Sequence, residues 1–213
     1  VNLYKERMNL KGYKYPADDE IIEQFENNFA HTETIDQLKA INDCKKDMED
    51  GKIMDRLVCG DVGFGKTEVA LRIAFKTIMA GKQVAFLCPT TILSEQHFAT
   101  AKSRMSDFGV KIEVINRLKS SSEVAKIKEA LNNGKIDLII GTHKLLANDI
   151  TYKNLGLLIL DEEQKFGVAD KEKIKNLKKS INVLTLSATP IPRTLNLSLI
   201  GVRDISVIET PPV

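Results

Sequence analysis

The chain lacks most of the features that mark simple functional classes. Its three cysteines, Cys44, Cys59 and Cys88, share no CxxC spacing. Two of them lie in apolar, strand-like runs, so they read as small buried hydrophobes in a reducing compartment, not as disulfides or zinc ligands. His31, His97 and His143 stand far apart and give no metal-binding pattern. No apolar run is long enough to span a membrane, and no secretory signal opens the sequence; the expected location is cytoplasmic. The formal net charge of +2 is too small to argue for nucleic acid by itself, though it leaves room for a local basic face. No internal repeat or low-complexity tract interrupts the 213 residues, which suffice for one large domain or two small ones. The chain starts without Met and ends at Pro211-Pro212-Val213, and is expected to be a piece of something longer.

What is present centres on one stretch. Gly60-Asp61-Val62-Gly63-Phe64-Gly65-Lys66-Thr67 reads GxxxxGKT, the phosphate-binding P-loop. The run before it, Arg56-Leu57-Val58-Cys59, is short and mostly apolar. The run after it, from Glu68 to Ala80, has the apolar spacing of a helix, so the loop sits between strand and helix, where its chemistry works. Glycines let successive backbone N–H groups point inward at phosphate oxygens, and the helix start adds unpaired N–H groups and its positive dipole end. The expected ATP cradle runs from Gly60 to Glu68. Lys66 would reach the β- and γ-phosphates, and the Thr67 hydroxyl would hold Mg²⁺.

Around this loop the pattern is orderly. Residues 1–11 read as a helix broken at Gly12, and residues 18–29 as a second helix with Ile21, Ile22, Phe25 and Phe29 at helical spacing. Thr34 is placed to cap a third helix, with Gln37 as its capping-box partner, and Gly51 stops that helix. Strand-like runs follow at 56–59, 83–88, 111–115, 137–140, 157–160, 182–186 and 204–208, with helical stretches at 67–80, 92–105, 121–132, 171–179 and 192–199. Strands of Leu, Ile and Val with little polar alternation suit a parallel sheet covered on both faces. The expected fold is therefore α/β: a central, mainly parallel sheet covered by helices, with an N-terminal helical segment. Ligands of such sheets bind at the carboxyl ends of the strands.

Two further motifs stand there. Leu157-Leu158-Ile159-Leu160 delivers Asp161-Glu162-Glu163-Gln164. Asp161 is placed to orient Mg²⁺ and Glu162 to polarise an attacking water, so Lys66, Asp161 and Glu162 are the candidate catalytic groups. Ser187-Ala188-Thr189-Pro190 follows another apolar strand; alone, that tetrapeptide is mostly just a turn. A GTPase switch would carry Asn-Lys-x-Asp and a transporter ATPase Leu-Ser-Gly-Gly, and neither is present.

In the order GDVGFGKT, DEEQ and SATPIPRT, the motifs resemble those of superfamily-two helicases and translocases. Pro89-Thr90-Thr91-Ile92-Leu93 looks like motif Ia, and Gly141-Thr142-His143-Lys144 like the threonine-histidine motif Ic. DEEQ with the tail from Gly201 to Pro212 is similar to the bacterial transcription-repair coupling factor family; RecG-type fork-regressing helicases usually have DEQH.

The resemblance implies a RecA-like P-loop domain, with residues 1–50 as a leading helical segment carrying the adenine motif and 51–213 as the first motor lobe. It implies that Phe29 stacks on adenine and Gln37 hydrogen-bonds its edge, beside the capping role already read for Gln37. It implies backbone contacts to double-stranded DNA from Thr90, Thr91, Arg117, Thr142, His143 and Lys144, and coupling roles for Gln164, Ser187, Thr189 and Arg193. It also implies RNA polymerase and excision-repair proteins as partners through other parts of a parent protein. Only about twenty residues follow SATPIPRT, too few for the second lobe that supplies arginine fingers. The expectation is thus Mg·ATP binding with very slow hydrolysis. A nucleotide-gated DNA-binding module without turnover is the reading from another class.

Overall fold

The computed structural model describes residues 12–63, 65–188 and 203–211; the helices expected over 1–11 and 192–199 lie outside them. Two helices come first, α1 (Glu20–Asn27) and α2 (Ile35–Glu49). Asp19 caps α1 by accepting from the Ile22 N–H at 3.0 Å. α2 opens on the expected capping box. Thr34 Oγ1 accepts from the Gln37 N–H at 3.1 Å, and Gln37 Oε1 accepts from the Thr34 N–H at 2.9 Å.

Strands and helices then alternate: β1 (Asp55–Gly60), α3 (Lys66–Met79), β2 (Gln83–Leu87), α4 (Thr91–Met105), β3 (Ile112–Ile115), α5 (Ser121–Asn132), β4 (Leu138–Gly141), β5 (Leu155–Asp161), α6 (Val168–Leu177), β6 (Asn182–Ser187) and β7 (Asp204–Ile208). Every expected strand is present. α6 begins at Val168, ahead of its lysine-rich run, because Gly167 supplies an extended N-cap there.

The strands form one parallel sheet in the order β3-β4-β2-β5-β6-β1-β7, the expected α/β fold. Ile159 of β5 lies between Phe86 and Leu184, and Val58 of β1 between Leu186 and Ser206. Side chains alternate between the faces. Val84, Phe86, Leu157, Ile159, Leu184 and Leu186 share a core with α1 to α4; Ala85, Leu87, Leu158, Leu160 and Val183 share one with α5 and α6. Both faces are therefore apolar, which explains the unbroken Leu/Ile/Val runs. Cys44, Cys59 and Cys88 are buried and free, and burial pushes their thiols up to about 12, 11 and 12.

α3, the helix after the P-loop, is the most enclosed: Glu68 through Ile78 are all buried. It has to accommodate charges there. Lys76 donates to Asp18 at 2.7 Å and to the Pro16 carbonyl at 2.9 Å, while Lys45 of α2 donates to the other Asp18 oxygen and to Glu26. Phe25 of α1 stacks on Phe75 of α3, with centroids 4.1 Å apart and planes 3° from parallel, a contact worth about 1 kcal/mol. Residues ahead of β1 are thus built into the core around the P-loop helix. The returns into β2 and β3 pass through Gly81 and Gly109 at φ 84° and 71°, a left-handed backbone that glycine adopts without penalty.

Burial acts to raise the Asp18 carboxyl, but hydrogen bonds from Lys45 and Lys76 outweigh it and hold it below its usual value. The associated stabilisation is complete above the unfolded carboxyl's pKa, near 4, and is lost as pH falls through the depressed folded value. Asp18→Ala is expected to lower stability at pH 7 by about 2 kcal/mol, because it strips Lys45 and Lys76 of a buried partner. Urea unfolding at pH 7 and pH 3 tests this, and the variant should differ from wild type less at the lower pH.

Candidate nucleotide-binding site

β1 ends at Gly60 and α3 starts at Lys66, with Gly65 as its N-cap at φ 82° and Gly63 at φ 84°. A Cβ on Gly65 would come within 1.9 Å of Gln37 Nε2, and one on Gly60 within 3.1 Å of the Ile208 carbonyl oxygen. Gly63 and Gly65 thus serve the curl through their left-handed backbone, and Gly60 through its close approach to β7. Lys66 Nζ donates to the carbonyls of Gly60 (2.5 Å) and Asp61 (3.0 Å). Burial lowers the Lys66 pKa, against the opposing pull of Asp161, Glu162 and Asp61. Thr67 sits half-buried in the first turn of α3, where backbone N–H groups lack helical acceptors. Asp61 and Val62 are exposed at the loop tip; Phe64 lies outside the described residues.

The carboxylates arrive on β5, two strands from β1. Asp161 is 9% exposed, and its Oδ2 lies 2.8 Å from His97 Nε2 of α4. Glu162 has φ 53°, the one positive φ on a non-glycine among the described residues, a strain of about 1–3 kcal/mol. Three bonds hold it there. Its N–H donates to the Leu186 carbonyl at 3.0 Å, its Oε1 accepts from the Ala188 N–H at 2.9 Å, and its Oε2 accepts from Gln164 Nε2. Gln164 and the Ser187–Ala188 strand end therefore already grip Glu162; Thr189 and Arg193 lie outside the described residues. A glycine cradle that a Cβ would fill, an ammonium, a hydroxyl and two carboxylates form a donor set that fits a magnesium–nucleotide triphosphate.

Gln37 serves two structural contacts at once. Besides the capping box, its Nε2 donates to the Gly65 carbonyl at 3.3 Å. Phe29 lies beyond the end of α1, edge-on to His31 at 5.6 Å, with the Arg72 guanidinium 5.2 Å from its ring centroid. It lines a cleft of about 790 Å³ with His31, Glu68, Thr100 and Arg104. That cleft lies beside the P-loop helix instead of over the loop. Glu68, the last residue of the expected cradle, has its carboxylate engaged elsewhere, by Arg72 (2.7 Å) and Arg104 (2.8 and 2.6 Å). Two guanidiniums hold it down at 7% exposure, which leaves only its backbone N–H to the loop.

The remaining candidates gather on the other half of the same edge. Thr90 and Thr91 follow β2, Arg117 follows β3, and Thr142, His143 and Lys144 follow β4; these three strands are neighbours. Thr90 is exposed and caps α4 by accepting from the Leu93 N–H at 3.2 Å, and Thr91 is half-buried. Arg117, His143 and Lys144 are exposed. Thr142 is only 4% exposed; its N–H donates to the Ile115 carbonyl, so its side chain lies beneath the surface the other five present.

The sequence profile described as "DEAD/DEAH box helicase" matches residues 34–197. The chain belongs to the DEAD/DEAH box helicase family. It is 58% identical, over its whole length, to the transcription-repair-coupling factor of Staphylococcus epidermidis and 57% identical to that of Staphylococcus aureus. It spans 18% of the length of these curated relatives. A solved structure of RecG bound to a three-way DNA junction is 37% identical with a TM-score of 0.85, covering 99% of this chain and 28% of that one. The DNA-bound helicase MrfA, at 17% identity and TM-score 0.65 over 95% of this chain and 31% of its own, shares the fold.

Three further residues of this helicase-family chain join the site with no motif to announce them. His97 meets Asp161, Arg104 meets Glu68, and buried Asn116 donates to Ser94 Oγ and Glu95 Oε1, both at 2.9 Å. Helical spacing from Thr90 places His97 and Arg104 on α4 but does not say what they face.

Gly65→Ala is expected to destabilise the chain and abolish nucleotide binding, since it adds about 1–2 kcal/mol of backbone strain and displaces Gln37. Gly63→Ala, whose Cβ meets nothing within 4 Å, should be milder. Urea unfolding and equilibrium nucleotide binding of both variants make the comparison.

Proposed function

We propose that this chain is the first, ATP-binding motor lobe of a double-stranded-DNA translocase of the transcription-repair coupling type. The observation that carries the reading is the division of one sheet edge. The P-loop, the DEEQ carboxylates and the Ala188 N–H that holds Glu162 follow β1, β5 and β6, and the exposed basic and hydroxyl groups follow β2, β3 and β4. The 58% identity along the full chain supports the coupling type over a RecG-type lobe at 37%. In this reading residues 1–50 carry the adenine contacts, Phe29 and Gln37, and residues 51–213 form the lobe. The parent protein works in the cytoplasm and removes stalled RNA polymerase so that excision-repair proteins gain access. Those partners engage through other parts of it.

Each residue then has a chemical task. The N–H groups of the loop and Lys66 offset phosphate charge, and Thr67 and Asp161 hold Mg²⁺. Mg·ATP supplies the phosphoryl group to be transferred to water. Glu162 accepts the proton of that water, and Gln164 and the Ala188 N–H fix where its carboxylate points. Because they share Glu162, a shift of the Ser187–Ala188 strand end moves the base. Thr90, Thr91, Arg117, His143 and Lys144 contact phosphates of the duplex, which positions DNA without reading sequence. Turnover waits for arginines from a second lobe, each worth on the order of 10³ in rate.

Direct Mg·ATP binding should be lost in Lys66→Ala, while steady-state hydrolysis by the chain stays negligible with or without duplex DNA. Glu162→Gln should change that residual turnover little. Robust DNA-stimulated hydrolysis by this chain alone would overturn the half-motor reading. Arg117→Ala and Lys144→Ala should each weaken duplex binding about uniformly across sequences and reduce the salt slope by about one, read by fluorescence anisotropy at several salt concentrations.

A further inference from the structure

α4 reaches the site at several points along its length. Its N-cap is Thr90, its first turn holds Asn116 through Ser94 and Glu95, and its last turn sends Arg104 to Glu68 of the P-loop helix. Between these lies His97. Its ring tilts over Phe86 of β2, with centroids 4.6 Å apart and planes 30° from parallel, and its Nε2 stands 2.8 Å from Asp161 Oδ2. Both side chains are almost out of water, at 11% and 12% exposure. Toward a carboxylate the ring nitrogen is the donor. Among the described residues no group takes Asp161 Oδ1. The ring is thus fixed by stacking on the sheet, and one carboxylate oxygen is fixed by the ring.

We propose that His97 is a positioning residue for Asp161: the Nε2–H bond to Oδ2 sets the carboxylate's rotation and leaves Oδ1 for the magnesium of the bound nucleotide. This rests on the reading of Asp161 as a magnesium-holding group. The physical argument is that a free Asp carboxylate rotates about its terminal bond. A buried hydrogen bond from a stacked ring removes that freedom before the metal arrives, so less ordering is left for metal binding. A histidine retained only for packing would serve equally well as phenylalanine over Phe86; the hydrogen bond is what distinguishes the two roles.

The test measures binding of a non-hydrolysable ATP analogue to the full chain, in EDTA and across a Mn²⁺ titration followed by electron paramagnetic resonance. His97→Phe keeps the ring stack and removes the donor, and His97→Gln restores an N–H near Nε2. The Mn²⁺ midpoint of the nucleotide complex should weaken about tenfold or more in His97→Phe and return to within about threefold of wild type in His97→Gln. Affinity in EDTA should be alike in all three. A wild-type midpoint in His97→Phe overturns the proposal and leaves the nucleotide site intact. Wild-type binding with no metal dependence overturns both the proposal and the reading of Asp161. If His97→Phe does not fold, the ¹⁵N resonance of His97 Nε2 in wild type decides: a shift on adding Mg²⁺ to the nucleotide complex supports the proposal, and an unmoved resonance overturns it.

Discussion

A parallel strand can be followed by another only if the chain crosses back over one face of the sheet before re-entering it. With all seven strands parallel, every strand-to-helix turn falls on one edge and every return on the other. That single constraint gathers residues from positions 60 to 188 along one rim. Strand order then sorts them. β5, β6 and β1 are adjacent, so Asp161, Glu162 and Ala188 meet beside Lys66. β3, β4 and β2 are adjacent, so Arg117, Lys144 and Thr90 share the neighbouring stretch of the rim.

The helices that carry the rim are charged, and the chain handles those charges by pairing. Glu68 lies between Arg72 and Arg104, Arg72 also reaches Glu33 at 2.6 Å, and Lys76 reaches Asp18. Buried pairs of this kind add little net stability, but losing one partner is costly. They tie α3 to α4 and to the residues ahead of β1, and so hold the helix that presents Lys66 and Thr67. The site carboxylates are held with different tightness. Both oxygens of Glu162 are bonded within its own motif and the next one, while Asp161 has one oxygen bonded to a helix from elsewhere in the chain.

Much of this was legible in the sequence because it is written locally. The P-loop, the seven apolar runs and the Thr34–Gln37 capping box depend on neighbours a few residues apart, and each is present in the structure. The contacts that bring distant residues together were not legible. Glu68 follows the P-loop directly, and only the fold reveals that Arg104, thirty-six positions on, claims its side chain. Thr142 sits in a polar motif, yet the pairing of β3 with β4 puts it beneath the surface. Histidine spacing read as uninformative, since the partner of His97 is a single carboxylate sixty-four residues away. α6 began early because an extended Gly167 starts a helix whose first residue, Val168, is 89% exposed and so left no apolar period to follow.

The opposite rim carries none of this chemistry. Gly81 and Gly109 turn there into β2 and β3, and a Cβ at either would meet nothing within 4 Å. These turns are natural points of attachment. A fluorophore, an immobilisation tag or a short inserted peptide placed beside either glycine, with the glycine itself kept for its left-handed backbone, would stand a full strand length from the nucleotide and from the basic rim. Force applied through such a handle would enter along the strands of the sheet, so a single-molecule tether could pull on the lobe without touching the surfaces that do its work.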